Sequence, residues 1–251
     1  MTVRIAIPEP TSGDPEYNAR ALPPYLDALE AAGAEPVVVS LAQAPERVAR
    51  LLTAVCGILL PGSRYDVDPQ TYGEDRAPEC GPADQGRAAV DELFLQDAFN
   101  LRKPILAICH GVQTLNVWRN GTLIQDLKTT VNHQAGRGVV EAHAVRLSAG
   151  SRLAGLAGRP GGAEVQVNSS HHQAIRVAGD KLCVTAVSAQ DGVIEAVELD
   201  SADHFVLGVQ WHPERTTGAS QLSRAIFATF VGAAQSWRAP AVPMAAGDGR
   251  Q

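Results

Sequence analysis

The 251-residue chain lacks any long apolar run. None approaches the roughly 18 residues that a membrane-spanning helix needs, and the apolar core of "MTVRIAIPEP" is too short for a signal peptide. A membrane protein is therefore not expected, and the cytoplasm is the expected compartment. Basic clusters are missing as well. With 21 Lys and Arg against 27 Asp and Glu, the formal charge is −6; a nucleic-acid partner is not expected, because neutralising phosphates takes a concentrated basic surface. A small molecule is the expected partner, and a homodimer is left open. The four cysteines, Cys56, Cys80, Cys109 and Cys183, form no CxxC pair. That argues against a cysteine zinc site and a dense disulfide framework, and leaves reduced thiols as the default. No internal repeat is visible.

What is present is a soluble globular composition, 45% hydrophobic and 19% charged. The length suits one large or two small domains; one is favoured, over residues 1–237. The remaining "RAPAVPMAAGDGRQ" (238–251) is rich in Pro, Ala and Gly and is expected to be a disordered tail. In the first half, "VRIAIP", "AEPVVVS", "AVCGILLPG" and "KPILAICHG" are short apolar runs of the kind that form buried parallel strands. Helical segments separate them: "YNARALPPYLDALEAAG", closing on Gly33, then "APERVARLLTA" and "GRAAVDELFLQDAFNLR". This alternation predicts a doubly wound α/β fold, a mostly parallel sheet flanked by helices. After Gly111, "TLIQDL", "EAHAVRLS", "EVQVNSSHHQAIRVA", "KLCVTAVS", "GVIEAVEL" and "HFVLGVQWHPE" read as strands broken by turns, adding antiparallel strands in the C-terminal half. A last amphipathic helix covers "GASQLSRAIFATFVGAAQSW".

Cys109 sits where the run "PILAI" meets a helical start. A strand turning sharply into a helix can hold a nucleophile exposed above the helix N-terminus. Such a turn is crowded and demands small residues two positions to either side, here Ala107 and Gly111. The helix dipole and a nearby imidazolium would lower the thiol pKa. A buried packing cysteine is the competing reading. In "GVQWHPE", His212 and Glu214 lie two apart at a strand end, so the carboxylate can orient the imidazole, the arrangement of base and orienter in acyl-transfer enzymes. A surface turn is the competing reading there. Cys56 and Cys183 lie within strand patterns and are expected in the core, and Cys80 has no neighbouring base.

With "PGSRYDVDPQTYGE", "QTLNVWRNGTLIQDL", "VNSSHHQAI", "DGVIEAVE" and "VLGVQWHPE" following in this order, the sequence resembles the class I glutamine amidotransferase-like superfamily. Within it, the likeness is to the gamma-glutamyl-gamma-aminobutyrate hydrolase family of peptidase C26 type, from about Ile58 to Trp237. The resemblance implies Cys109 as nucleophile, His212 as general base and acid, and Glu214 as its orienter. It implies an oxyanion hole from the backbone N–H groups of His110 and Ser63, contact of Gln113 with the glutamyl group, and a clamp on its amino and carboxylate ends from the backbone of His172 and Gln173. Ser63 stands where the family usually has a second glycine, which a backbone donor tolerates. Ala107, His110 and Asn120 replace a usual glycine, arginine and glycine.

No metal or organic cofactor is expected. Adjacent residues on a strand point to opposite faces, so His171 and His172 are not expected to hold one ion. The acidic loop with Asp66, Asp68, Glu74 and Asp75 lacks EF-hand spacing and reads as a wall over the active site. Trp118 and Trp211 read as packing residues. The implied activity is cleavage of a gamma-glutamyl amide through a thioester, releasing glutamate and an amine. A glutaminase subunit feeding ammonia to a synthase, and a catalytically silent binding protein on the same fold, remain the alternatives.

Overall fold

The computed structural model describes residues 2–239; residues 240–251, most of the tail expected to be disordered, lie outside them. The four apolar runs of the first half form β1 (Val3–Pro8), β2 (Ala34–Val39), β3 (Gly57–Leu60) and β4 (Ile105–Ile108). They stand parallel in the order β2-β1-β3-β4. Both faces of β1, β3 and β4 are covered, which is why those runs are apolar without alternation, whereas β2, at the edge, leaves Glu35 and Val38 exposed. Ile5, Ile7, Leu59, Leu106 and Ile108 face one core, and Ala6, Ile58, Leu60, Ile105 and Ala107 the other.

The segment read as one helix over residues 17–33 is two, α1 (Pro15–Ala21) and α2 (Pro23–Ala31). Pro23 and Pro24 bring no N–H to the turn before them, so the first helix ends at Leu22 and the second starts there. Gly33, at φ 90°, closes the exit as expected. Tyr25 and Leu29 of α2 cover the first core together with Phe227 and Phe230 of the last helix. The second is covered by α3 (Pro45–Leu52), α4 (Gln85–Leu101) and α5 (His110–Trp118), through Val48, Leu52, Phe94, Leu95 and Leu115.

In the second half, β5 (Thr122–Ile124), β6 (His143–Leu147), β7 (Ala163–Val167), β8 (Ala174–Val177), β9 (Leu182–Ser188), β10 (Ile194–Leu199) and β11 (Val206–Val209) all join the same sheet. The strand β11 departs from the antiparallel expectation: it lies parallel beside β4, Val206 opposite Ile105 and Val209 opposite Ile108. It is buried along its whole length, as the central parallel strands are. The sheet then continues antiparallel through β10, β9, β6 and β7, with β8 on β10 and β5 on β8. A short helix, α6 (Arg152–Leu156), which the sequence did not announce, follows β6, and α7 (Gln221–Ser236) ends the fold.

This order brings the C-terminal ends of β3, β4 and β11 side by side. From them issue the Pro61–Gly62–Ser63 turn, Cys109 and, three residues on, His212. The strand order also reverses direction between β1 and β3, and the crevice beyond strand ends near such a switch is where open α/β sheets bind ligands.

Candidate active site

Cys109 follows β4 directly and is the N-cap of α5, with φ 52° and ψ −110°. An L-residue held there costs on the order of 1–3 kcal/mol, which the surroundings must impose. The imposing contact is visible at Gly111. A Cβ on that residue would lie 2.2 Å from the carbonyl oxygen of Leu60, at the end of β3. On the other side, a Cβ on Gly208 of β11 would lie 2.3 Å from Val112 Cγ2. The helix thus rests against bare backbone of two neighbouring strands and forces a sharp turn at Cys109. Ala107, fully buried, pairs with Leu60 and Gly208 on either side.

The imidazole of His212 is held by a 3-10 turn, Pro213–Arg215, rather than by a strand pleat. Its Nδ1 is 2.7 Å from Glu214 Oε1, and both side chains are buried. Asn168 fixes the backbone: its Oδ1 accepts from the His212 N–H at 2.8 Å, and its Nδ2 donates to the His212 carbonyl at 2.8 Å. Thiol and imidazole flank one glycine, since a Cβ on Gly62 would fall 3.0 Å from His212 Cε1 and 3.6 Å from Cys109 Cβ. The turn carrying that glycine is pinned. Gly62 N–H donates to the Tyr25 hydroxyl at 3.0 Å, and the fully buried Arg87, paired with Asp91 at 2.7 Å, donates to the Pro61 carbonyl at 2.8 Å. The next N–H, that of Ser63, has no partner among the described residues. His110 provides the first N–H of α5, which has no intrahelical acceptor.

Burial sets the electrostatics. It pushes the Cys109 thiol up to about 12, against the lowering pull of Arg215. It also pushes the His212 imidazole below its ordinary value, against the Glu214 carboxylate. Burial works to raise the Glu214 carboxyl, but His212 and Arg215 outweigh it and hold it below the usual range. Both shifts favour the uncharged forms, thiol and neutral imidazole. This departs from the expectation of a thiol lowered by an imidazolium: desolvation is the largest influence on Cys109, and the cation that opposes it is Arg215. That residue was not anticipated. Its Nη2 meets His212 Nε2 at 3.2 Å, its Nε lies 3.4 Å from Glu214 Oε1, and its Nη1 donates to Ser170 Oγ at 3.0 Å.

A cleft of about 290 Å³ opens above Cys109, and Ser63, His110, Gln113, His172 and Gln173 all line it. Gln113 Nε2 donates to the Gln173 carbonyl at 2.9 Å and to Gln210 Oε1 at 3.1 Å. The His172 carbonyl accepts from Leu127 N–H at 2.7 Å. The His172 ring bridges Asp66 (3.0 Å) and Asp126 (3.1 Å), and Asp66 raises it above its ordinary value against burial. His110 is buried, which pushes its ring down to about 3. Of the acidic loop only its start, Ser63 to Asp66, lines the cleft, while Asp68, Glu74 and Asp75 do not; Asp66 shapes the loop, its Oδ2 accepting from Gly81 N–H at 2.6 Å. His171 and His172 do diverge, but His171 turns toward His133, His143 and Glu195, a group whose members are too far apart in sequence to form a motif.

The other cysteines divide differently from the reading. Cys80 is buried, Cys56 is half-buried, and Cys183 is exposed, because its side of β9 faces solvent. Asn120 adopts φ 67°, a left-handed conformation that Asn tolerates better than most residues, so its replacement of glycine is accommodated. Trp211 is buried in the first core and Trp118 stacks on Phe99 at 4.7 Å, as packing residues do.

The peptidase C26 family model matches residues 8–214. The chain belongs to the peptidase C26 family. Among relatives of this C26 protein, the gamma-glutamyl-gamma-aminobutyrate hydrolase PuuD of Escherichia coli (strain K12) is 36% identical over 221 residues, covering 84% of this chain and 85% of that one. Rv2859c of Mycobacterium tuberculosis, provisionally named a glutamine amidotransferase, is 40% identical over 185 residues, 72% of this chain; the match spans 58% of that relative's length. Among solved structures, the glutaminase domain of Trypanosoma brucei CTPS with bound acivicin matches with a TM-score of 0.62 at 18% identity, covering 94% of this chain and 95% of that one. This C26 chain thus has the class I glutamine amidotransferase fold and, by family, is a hydrolase of amide bonds. No helix among the described residues is long and apolar enough to cross a membrane.

Proposed function

We propose that the protein is a cysteine hydrolase of small gamma-glutamyl amides, such as gamma-glutamyl-gamma-aminobutyrate, and that it works without a partner subunit. One observation carries the reading: Cys109 is held at φ 52° in the floor of a cleft, across Gly62 from an imidazole oriented by a buried carboxylate. Structural cysteines have no need of that strain.

In this mechanism His212 Nε2 takes the Cys109 proton as sulfur attacks the delta carbonyl, so the ion pair forms only as the C–S bond does. The oxyanion is met by the N–H groups of Ser63 and His110, donors that can each be worth about 3–4 kcal/mol. Imidazolium formed at His212, stabilised by Glu214, protonates the departing amine and the C–N bond breaks. Water, deprotonated by His212, then attacks the thioester; glutamate leaves and the proton returns to sulfur. For Nε2 to accept, Arg215 must yield its 3.2 Å contact. Gln113 and the backbone of His172 and Gln173 line the cleft where the glutamyl end would sit.

The test is kcat/KM for gamma-glutamyl-gamma-aminobutyrate against glutamine, read as released glutamate with no other protein present. A preference for the substituted amide is expected. A clear preference for glutamine, or turnover only after a second protein is added, overturns the reading in favour of an ammonia-supplying subunit.

A further inference from the structure

Beneath the wall of the cleft, four side chains from four separate segments converge: His133 from the loop after β5, His143 at the start of β6, His171 from the turn between β7 and β8, and Glu195 on β10. They are 3%, 4%, 5% and 1% exposed. Each ring commits its outer nitrogen to an acceptor. His133 Nε2 lies 3.0 Å from Asp191 Oδ2, His143 Nδ1 lies 3.3 Å from the Ala144 carbonyl, and His171 Nδ1 lies 2.9 Å from the Gln173 carbonyl. An acceptor needs a proton facing it, so in the neutral rings the inner nitrogens carry lone pairs.

Those three inner nitrogens surround Glu195 Oε1 at 3.3, 3.4 and 3.6 Å. None of them makes a hydrogen bond, and neither does either Glu195 oxygen. Four buried lone-pair atoms within 4.8 Å of one another repel unless positive charge lies among them. Protons fill the space poorly: one between His133 Nδ1 and Glu195 Oε1 leaves the lone pairs of His143 and His171 still facing the carboxylate, and one on every ring buries three cations around it. A tetrahedral ion with ligand distances of about 2.0–2.1 Å sets its ligands about 3.3–3.4 Å apart, close to the carboxylate spacings observed.

We infer that His133, His143, His171 and Glu195 form a structural site for a zinc-class divalent cation. Three imidazoles and one carboxylate suit zinc and its neighbours in the transition series, whereas calcium and magnesium prefer all-oxygen shells. Four protein ligands close the shell, the mark of a structural rather than a catalytic ion. The outer contacts match as well. Asp191 accepting from His133 is the carboxylate–histidine support that metal-bound imidazoles require, and Asp191 is itself held by the Thr129 hydroxyl at 2.7 Å. With Glu195 and Asp191 ionised, a divalent charge is balanced. The ion would tie together the segments that carry Gln134, Ser170, His172 and Gln173, all of which line the cleft.

The experiment uses the full chain purified without added metal or metal-affinity resin, in the wild type and in Cys109→Ala, so that uptake at the thiol is told apart. Elemental analysis is expected to give about one zinc-class ion per chain; failing that, chelator-treated protein is expected to take up one equivalent of zinc, with a rise in Tm. Cobalt(II) replacement is expected to give the intense visible bands of a four-coordinate ion. His143→Ala and Glu195→Gln should abolish binding in the Cys109→Ala background, and where a variant fails to fold, the wild-type zinc titration decides. A folded chain without metal that takes up neither zinc nor cobalt, or undiminished binding in both variants, overturns the inference. Metal content and Tm are read without turnover, so this result is independent of the hydrolase reading.

Discussion

Gly111→Ala is the substitution for which the structure specifies the damage most closely. The added Cβ would sit 2.2 Å from the Leu60 oxygen and 2.8 Å from its carbonyl carbon and Cβ, about 1 Å short of ordinary contact. The strand β3 cannot withdraw, because Leu60 is laddered to Ala107 of β4. The start of α5 must lift instead, and Cys109 and His110 move with it, away from the pinned Gly62–Ser63 turn. Overpacking of this kind costs about 1–3 kcal/mol, and a displacement of about 1 Å at reacting atoms can cost about 100-fold in rate. Gly232→Ala is the control. It adds the same methyl to an exposed position of α7 with nothing within 4 Å, where alanine is expected to stabilise by about 0.5–1 kcal/mol. Thermal unfolding and kcat for glutamate release, measured on both variants, should move in opposite directions for Tm and only in Gly111→Ala for kcat. A Gly111→Ala enzyme with wild-type kcat would show that the elbow does not position the nucleophile.

Other perturbations follow from the same geometry. If Glu214 orients and His212 transfers protons, Glu214→Gln should slow single turnovers less than His212→Asn, by a margin on the order of 10- to 100-fold; equal losses would contradict those roles. The pH profile tests the burial of His212. Its imidazole lies below the ordinary value of 6.5 and must be neutral to accept a proton, so kcat/KM should fall only as pH drops through that lowered value; an acid limb centred at or above 6.5 refutes the assignment. Cys109→Ala should abolish glutamate release while unfolding cooperatively, whereas Cys183→Ala, at an exposed position, should change Tm and turnover little; residual turnover in the first would remove the thioester step.

The central parallel strands are legible because both faces of β1, β3 and β4 are buried, and burial writes itself into the chain as unbroken apolar runs. That signal also misled. The last strand, in "FVLGVQW", carries the same signature as β4, but its antiparallel neighbours in sequence suggest the opposite direction, and its burial resembles that of the strands it joins. The apolar neighbours of Cys183 suggest the core, yet a strand with one solvated face buries only alternate residues, and position 183 falls on the solvated side. The break between α1 and α2 is written plainly in Pro23-Pro24, although the helical periodicity continues across it.

At the site, what could be read was local, and what could not was distant in sequence. The elbow and the His-Pro-Glu turn each lie within a few residues, so their chemistry shows in the string. The groups that hold them do not: Tyr25 reaches Gly62 across 37 positions, Arg87 reaches Pro61 across 26, and Asn168 reaches His212 across 44. The same limit explains the thiol. A helix N-terminus and a nearby imidazole are visible in sequence and both argue for a thiolate; the packing that removes water from Cys109 comes from elements remote in the chain and pushes the other way. If desolvation wins in the resting enzyme, substrate binding rather than the free site must bring about ionisation, as the proton moves to His212 while sulfur bonds to carbon. An alkylating reagent that does not occupy the glutamyl cleft should then react with Cys109 slowly and increasingly with alkaline pH, whereas a reagent built on a gamma-glutamyl group should react fast at neutral pH. Equal rates for the two at neutral pH would mean that the thiolate is already formed.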